Sequence, residues 1–205
     1  SDRLGIYIHI PFCVKKCNYC DFCSFPNRLE DISRYVSELC RRIKEKAQDC
    51  HEYTVDTVYF GGGTPTTLSA DELTFLMGKI ADNFDLSNIT EYTVEAGRPD
   101  TITREKLLTL KKHNVNRISI NPQSMNDVTL NKIGRSHNSK MIYDAYKMAV
   151  ETGFDVINMD LIAGLPGERS EMFNYSLNEV IKLKPENITV HSLCLKRAAD
   201  FKMTE

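Results

Sequence analysis

Four cysteines crowd the stretch IYIHIPFCVKKCNYCDFCSF, and three of them, Cys13, Cys17 and Cys20, follow an apolar run with the spacing C-x3-C-x2-C. Spacings this short let several thiolates turn inward on one metal centre, because a tight loop folds around it. Four chemistries compete for them. Disulfides fit worst, since cysteines crowded into one loop lack properly placed partners. A structural zinc would recruit Cys23 as its fourth ligand, but such sites prefer two C-x2-C knuckles separated in sequence. A thioredoxin-like redox pair, read on Cys20 and Cys23, needs its cysteines at a helix start. The remaining chemistry is a [4Fe–4S] cluster on Cys13, Cys17 and Cys20. Such cubanes normally take four thiolates, so a set of three leaves one iron open to a substrate or cofactor.

Other chemistry-bearing residues lie further along. The run YFGGGTPT (59–66) lacks the Gly-Lys-Ser/Thr of a Walker phosphate loop. Gly61, Gly62 and Gly63 would let the backbone approach a ligand with amides free to bond it, or simply make a tight strand–helix turn. In VEAGRPD, Glu95 ends an apolar strand, where a carboxylate is costly unless paired or liganded. Gln123 follows the fourth strand, Arg135 comes twelve residues later, and Asp160 sits in NMDLIAGLPGE. Arg135 reads either as a solvated helix-end cation or as the bidentate partner of a carboxylate. Asp160 is a candidate ion-pair partner for it. His9 reads as a satisfied core histidine. Cys40, Cys50 and Cys194 read as small hydrophobes packed in helices or strands.

The elements that must position these residues alternate. Strand-like runs occupy 6–10, 57–60, 91–96, 117–120, 156–162 and 188–193, and amphipathic helical patterns occupy 31–47, 70–84, 103–114, 139–153 and 170–184. Ser69 and Glu72 form a capping box, Gly153 suits a left-handed C-cap, and Pro185 stops the last helix. Alternation on this pattern predicts an α/β fold with a parallel sheet, its strands apolar on both faces in places. A doubly wound sheet and a barrel both satisfy it, and in either the ligand sits at the carboxyl ends of the strands.

With 205 residues, 41% hydrophobic, and a net charge of -2, the composition suits one globular domain over 1–205. No broad basic face points to nucleic acid, and no apolar run reaches the ~20 residues of a membrane span. Seven cysteines, odd in number and clustered, do not form a secreted disulfide framework; they suggest a reducing, cytoplasmic compartment. The start at Ser1, just ahead of an apolar strand, suggests a core piece of a longer protein.

Placed after a first strand, C-x3-C-x-Φ-C with Tyr19 just before the last cysteine resembles the radical S-adenosylmethionine enzymes. YIHIPFC, GGGTPT, Q-S-x-N-x-x-x-L-x-x-I-G-R-x-H and DLIAGLPGE, in that order, resemble the oxygen-independent coproporphyrinogen III oxidases (coproporphyrinogen dehydrogenases) and their relatives over nearly the whole chain. EAGRPDTITREKL and HSLCLKRAADF look like the dehydrogenase branch rather than its haem-chaperone relatives. The resemblance implies a partial (β/α)6 TIM-like barrel, a [4Fe–4S] cluster and S-adenosylmethionine. It implies that Cys13, Cys17 and Cys20 ligate the cluster and that Tyr19 shields it. The Gly61–Gly63 loop and Thr64 would meet S-adenosylmethionine, the loop at its amino group. Glu95, Gln123, Arg135 and Asp160 would hold its polar groups, and Tyr7 would be an aromatic beside the reacting centre. Cys23 departs from the pattern of several relatives and reads as a bystander.

The implied reaction begins with an electron, from a donor such as flavodoxin or ferredoxin, that cleaves the sulfonium to give a 5′-deoxyadenosyl radical. The radical takes a hydrogen from a propionate of the tetrapyrrole coproporphyrinogen III. Carbon dioxide leaves, a vinyl group forms and an acceptor takes the spare electron; two rounds give protoporphyrinogen IX. Lys196 and Arg197 are candidate cations for the propionates. Two alternatives stand beside this reading: a haem-binding chaperone on the same scaffold, and a zinc-stabilised module that recruits a partner.

Overall fold

The computed structural model describes residues 2–21 and 23–194. In chain order the elements are β1 (Arg3–Ile10), β2 (Phe12–Cys13), β3 (Phe25–Pro26), α1 (Ile32–Asp49), β4 (Thr54–Gly62), α2 (Ala70–Asn83), β5 (Glu91–Glu95) and α3 (Arg104–Lys112). They continue with β6 (Arg117–Gln123), α4 (Asp127–Lys132), α5 (Ser139–Thr152), β7 (Val156–Ala163), α6 (Ser170–Leu183) and β8 (Asn187–Ser192). The six long strands form one parallel sheet in the order β1-β4-β5-β6-β7-β8. Each pairs with the next long strand along the chain, so the winding never reverses. A doubly wound sheet needs such a reversal; the fold is therefore a partial (β/α)6 barrel.

Strand alternation separates two faces. Toward the helices point Ile8, Ile10, Val58, Phe60, Val94, Ile118, Ile120, Met159 and Leu161, all buried in one apolar core. Strands are apolar on both sides only in places, as at Ile162 in β7, and the opposite face is largely polar. Here Arg117 donates to Glu91 at 3.2 Å, Asn158 to Ser119 at 3.0 Å and Thr189 to Asn158 at 3.0 Å. An unpaired buried polar group costs about 1–3 kcal/mol, and the bonds among Ser119, Asn158 and Thr189 across neighbouring strands remove that cost, whereas the Arg117–Glu91 pair is partly exposed.

Helices cover the apolar face with residues at three- and four-residue spacing. α1 buries Ile32, Val36, Cys40 and Ile43, and α2 buries Leu73, Leu76, Met77 and Ile80. Full burial of such side chains contributes about 2 kcal/mol each. The capping box of Ser69 and Glu72 forms, and Gly153 ends α5 in the left-handed region at φ 86°. Lys184 does the same for α6 at φ 58°, ahead of Pro185. The short helix α4 has no counterpart in the sequence reading, because six residues are too few to show an apolar period. Among the described residues no helix is long and apolar enough to cross a membrane.

Candidate functional site

The cysteine loop leaves the carboxyl end of β1 and is closed at its base by β2 and β3, where Phe12 pairs with Phe25. Its middle rests on the end of α4. The Asn18 amide donates to the Ile133 carbonyl at 3.1 Å, and the Asn18 side chain donates to the Lys132 carbonyl at 3.2 Å. The helix that the sequence concealed therefore holds the segment between Cys17 and Tyr19. Cys13 and Cys17 are buried, Cys20 is half-buried and Cys23 is exposed.

Cys13, Cys17 and Cys20 line one cavity of about 520 Å³, shared with Tyr7, Tyr19 and the Gly62–Thr64 turn. Glu95, Gln123, Arg135 and Asp160 complete its wall from the carboxyl ends of the next strands and the loops beyond them. Among the described residues, no three His, Cys, Asp or Glu side chains gather closely enough for a single metal ion. A lone zinc needs its ligands about 2.3 Å from one point. Here the three cysteines open instead on the shared cavity of about 520 Å³.

The glycine run works by closeness. A Cβ on Gly63 would lie 2.6 Å from the Phe12 carbonyl oxygen and 3.1 Å from Cys13 Sγ. One on Gly61 would strike the rings of Tyr59 and Tyr7, which stack with centroids 6.1 Å apart. Gly61 thus seats two tyrosines and does not itself wall the cavity. The amides are not free for a ligand, contrary to the sequence expectation. Gly63 N donates to the Ile10 carbonyl and Thr64 N to the Phe12 carbonyl, each at 2.8 Å, while the Gly62 amide bonds Glu95. The loop's Gly62, Gly63 and Thr64 amides are therefore spent within the protein, while the three residues line the cavity.

Two carboxylates face the cavity. Glu95 accepts from the Tyr59 hydroxyl, and Asp160 accepts from Asn158 at 2.6 Å with His191 Nε2 3.4 Å away. Burial pushes the Glu95 carboxyl above the usual range, the Tyr59 bond opposes that shift, and the Asp160 charge adds to it. Asp160 does not pair with Arg135, so the ion pair considered from sequence is absent. Nor is Arg135 a solvated cation. It is buried, donating through Nη1 to the Gly97 carbonyl at 2.9 Å and through Nε to the Tyr19 hydroxyl at 3.2 Å. Gln123 ends β6 in the left-handed region at φ 68°, and its buried Oε1 has no hydrogen-bond partner. Gln123 also lines the cavity, and strained backbone together with an unpartnered buried acceptor is a mark of a functional site.

Sequence reasoning missed a buried group behind the loop. Arg98 Nη1 donates to Cys17 Sγ at 3.1 Å, and Asp100 lies 3.6 Å from Arg98 Nε. His137 stands 3.9 Å from Asp100 and is bonded through Nε2 to the Pro122 carbonyl at 3.2 Å. These residues belong to the quoted motifs, but nothing in their spacing marked them as neighbours of a cysteine. Burial, and then the Arg135 charge, push the His137 imidazole from 6.5 down to about 3. Its folded value lies below its unfolded one, so the stabilisation by neutral His137 is complete above about pH 6.5 and is lost as pH falls toward about 3. The slope is about 1.4 kcal/mol per pH unit over that interval. Thermal unfolding followed from about pH 7 to about pH 4 is expected to show a shallower acid decline for His137→Gln than for wild type. Equal slopes would show that His137 is not the group responsible.

Tyr7 is 59% exposed, on the cavity wall, and its hydroxyl shares a 3.0 Å hydrogen bond with His9 Nδ1. His9 Nε2 meets the Cys23 carbonyl at 3.1 Å, so both ring nitrogens of this half-buried histidine are satisfied. Cys23 is exposed and does not line the cavity. Cys40 is buried in α1 and Cys50 is half-buried just beyond it, whereas Cys194 is exposed at the cavity rim, not packed in an element as expected. Lys196 and Arg197 lie outside the described residues.

A strand-sequential α/β barrel segment with a thiol-lined, acid-bearing cavity at the carboxyl ends of its strands places that cavity where barrels of this kind bind their ligands. The chain belongs to the Radical SAM superfamily, whose family model it matches over residues 7–180. It is 45% identical to the oxygen-independent coproporphyrinogen-III oxidase-like protein HemZ of Bacillus subtilis, over 98% of this chain and 41% of that protein. It is 37% identical to the heme chaperone HemW of Bacillus subtilis, over 93% of this chain and 50% of that protein. The structure superposes on coproporphyrinogen III oxidase (HemN) from Escherichia coli, a Radical SAM enzyme, with a TM-score of 0.86 and 28% identity, covering 97% of this chain and 48% of that one. The chain thus spans about half the length of the relatives it matches. Its cofactors are those of the superfamily, a [4Fe–4S] cluster and S-adenosylmethionine. The crowded Gly63, the orphaned Gln123 oxygen and the three thiols on one wall are compatible with both groups.

Proposed function

We propose that this chain is the cofactor-binding core of a radical S-adenosylmethionine enzyme that oxidatively decarboxylates the propionates of coproporphyrinogen III to vinyl groups, giving protoporphyrinogen IX. The observation that carries the reading is the single cavity lined by three cysteines, two carboxylates, a buried arginine and Gln123, whose side-chain oxygen lacks a partner. When bound, the cluster and S-adenosylmethionine supply an electron and the 5′-deoxyadenosyl radical that removes a hydrogen atom from a propionate.

The protein's own groups hold and orient. Cys13, Cys17 and Cys20 would ligate the cluster as thiolates, with Tyr19 walling it from solvent. The Gly62 and Gly63 carbonyls would accept from the cofactor's ammonium. A Glu95 carboxyl raised by burial regains its charge beside a cation, so this position favours an ammonium or a hydroxyl donor over an anion. Asp160 and Gln123 Oε1 would accept from the remaining hydroxyl and amino groups. With Nε and Nη1 committed to Tyr19 and Gly97, Arg135 keeps its Nη2 edge for a carboxylate. That makes a single charge-assisted contact in place of the bidentate pair the sequence suggested. Lys15 and Lys16 line the cavity and are described cations that could meet substrate propionates. A flavodoxin or ferredoxin would deliver the electron, and a separate acceptor would take the one left after carbon dioxide departs.

The 37% identity to a heme chaperone favours one rival, a core that binds haem and passes it on. Anaerobic incubation with reductant, S-adenosylmethionine and coproporphyrinogen III separates the two. Formation of protoporphyrinogen is the expected result, and tight haem binding without it would establish the chaperone.

A further inference from the structure

Behind the cysteine loop, Arg98 brings a buried guanidinium onto the sulfur of Cys17, and we propose that this contact sets the reduction potential of the cluster. Arg98 is then a positioning residue acting through Cys17. The inference rests on the reading of Cys17 as a cluster ligand.

Arg98 follows β5 at a short turn, where its carbonyl accepts from the Thr101 amide at 2.9 Å and the Thr101 hydroxyl at 2.7 Å. The backbone is therefore held, and the side chain runs inward with only 5% exposure. Its Nη1 serves two acceptors, Cys17 Sγ at 3.1 Å and the Lys15 carbonyl at 3.0 Å. Nε and Nη2 are buried without hydrogen-bond partners. Asp100, at 3.6 Å from Nε, attracts this charge without making a hydrogen bond to it. His137 beyond Asp100 is neutral at ordinary pH, its value pushed down to about 3, so it does not share the cationic role.

A guanidinium buried with two nitrogens unpartnered is costly unless negative charge nearby completes it. A cluster on three thiolates is such a charge, and reduction makes it more negative by one. A hydrogen bond to a ligating sulfur withdraws electron density from it, and a fixed cation a few ångströms away offsets the added electron. Both effects favour the reduced form. Asp100 opposes them, because its carboxylate lies on the other side of the same guanidinium. The electron itself still comes from the external reductant, so no further reactant is required.

The test reconstitutes wild type, Arg98→Met, Arg98→Lys and Asp100→Asn anaerobically, measures iron and sulfide in each, and titrates the loaded clusters with dithionite while the reduced signal is followed by electron paramagnetic resonance. Arg98→Met is expected to shift the midpoint downward by at least the ~59 mV that equals a tenfold change for a one-electron couple. Arg98→Lys, which keeps the charge, stays nearer wild type, and Asp100→Asn shifts upward. A loaded Arg98→Met with the wild-type midpoint overturns the inference. Should Arg98→Met take up no cluster, Asp100→Asn decides: an upward shift supports the proposal, and an unchanged midpoint overturns it. A wild-type chain that takes up no iron and sulfide would instead remove the cluster reading of Cys17, and this inference with it.

Discussion

Cys17→Ala is expected to leave the protein with almost no iron or sulfide after anaerobic reconstitution, and to abolish the broad visible absorption of a cluster. Removing mere outer partners of metal ligands costs about 10- to 100-fold in affinity, and Cys17 is expected to be a ligand itself. Its sulfur is buried, faces the cavity and already accepts from Arg98 at 3.1 Å. The substitution removes one buried atom, a loss of about 1 kcal/mol in a core position. The barrel should therefore stay folded, with its helical circular dichroism unchanged. Cys23→Ala is the control, since that thiol is exposed and off the cavity wall. Wild-type iron content in Cys17→Ala would sink the ligand assignment. One zinc per chain, without iron or sulfide in anaerobically isolated wild type, would return the loop to the structural-zinc reading.

The second large effect is expected at Gly63. Its backbone is not among the positive-φ positions, so an alanine there meets no conformational penalty. Space is what forbids it. The new methyl would lie 2.6 Å from the Phe12 carbonyl oxygen and 3.1 Å from both the Ile10 carbonyl oxygen and Cys13 Sγ. The two oxygens are backbone, and each is held by a 2.8 Å bond from this same turn, to Gly63 N and Thr64 N. Relief requires the turn to separate from the cysteine loop, which costs about 1–3 kcal/mol. It also displaces Cys13. Gly63→Ala is therefore expected to melt earlier and to lose both cluster loading and S-adenosylmethionine binding, measured by iron content and equilibrium dialysis. Gly153→Ala is the contrasting case: φ is 86° and nothing lies within 4 Å of the added methyl. Its cost is conformational, about 1–2 kcal/mol, with cofactor binding intact. A Gly63→Ala protein that binds both cofactors like wild type would show that the turn and the loop are not packed this tightly.

What could be read from the residues and what could not divide along one physical line. The alternation of strands and helices was readable because period and capping are local: α1 to α3, α5 and α6 declare themselves within a few turns each. The thiol spacing was readable for the same reason, since three cysteines within eight residues cannot move far apart. Glu95 and Asp160 stood out as acids in apolar strands. Helix α4 escaped because six residues show no period, although it is the support on which Asn18 places the loop.

The sequence alone also allowed two windings, and only the strand order excluded the doubly wound one, because neighbours in a sheet are chosen by packing across the whole chain. The polar inner face, the spent amides of Gly62, Gly63 and Thr64, and the burial of Arg135 all follow from that packing. Arg98 and Cys17, 81 residues apart, met only there. Local chemistry determined which residues could bind a cluster; the long-range register of the barrel decided which charges stand beside it.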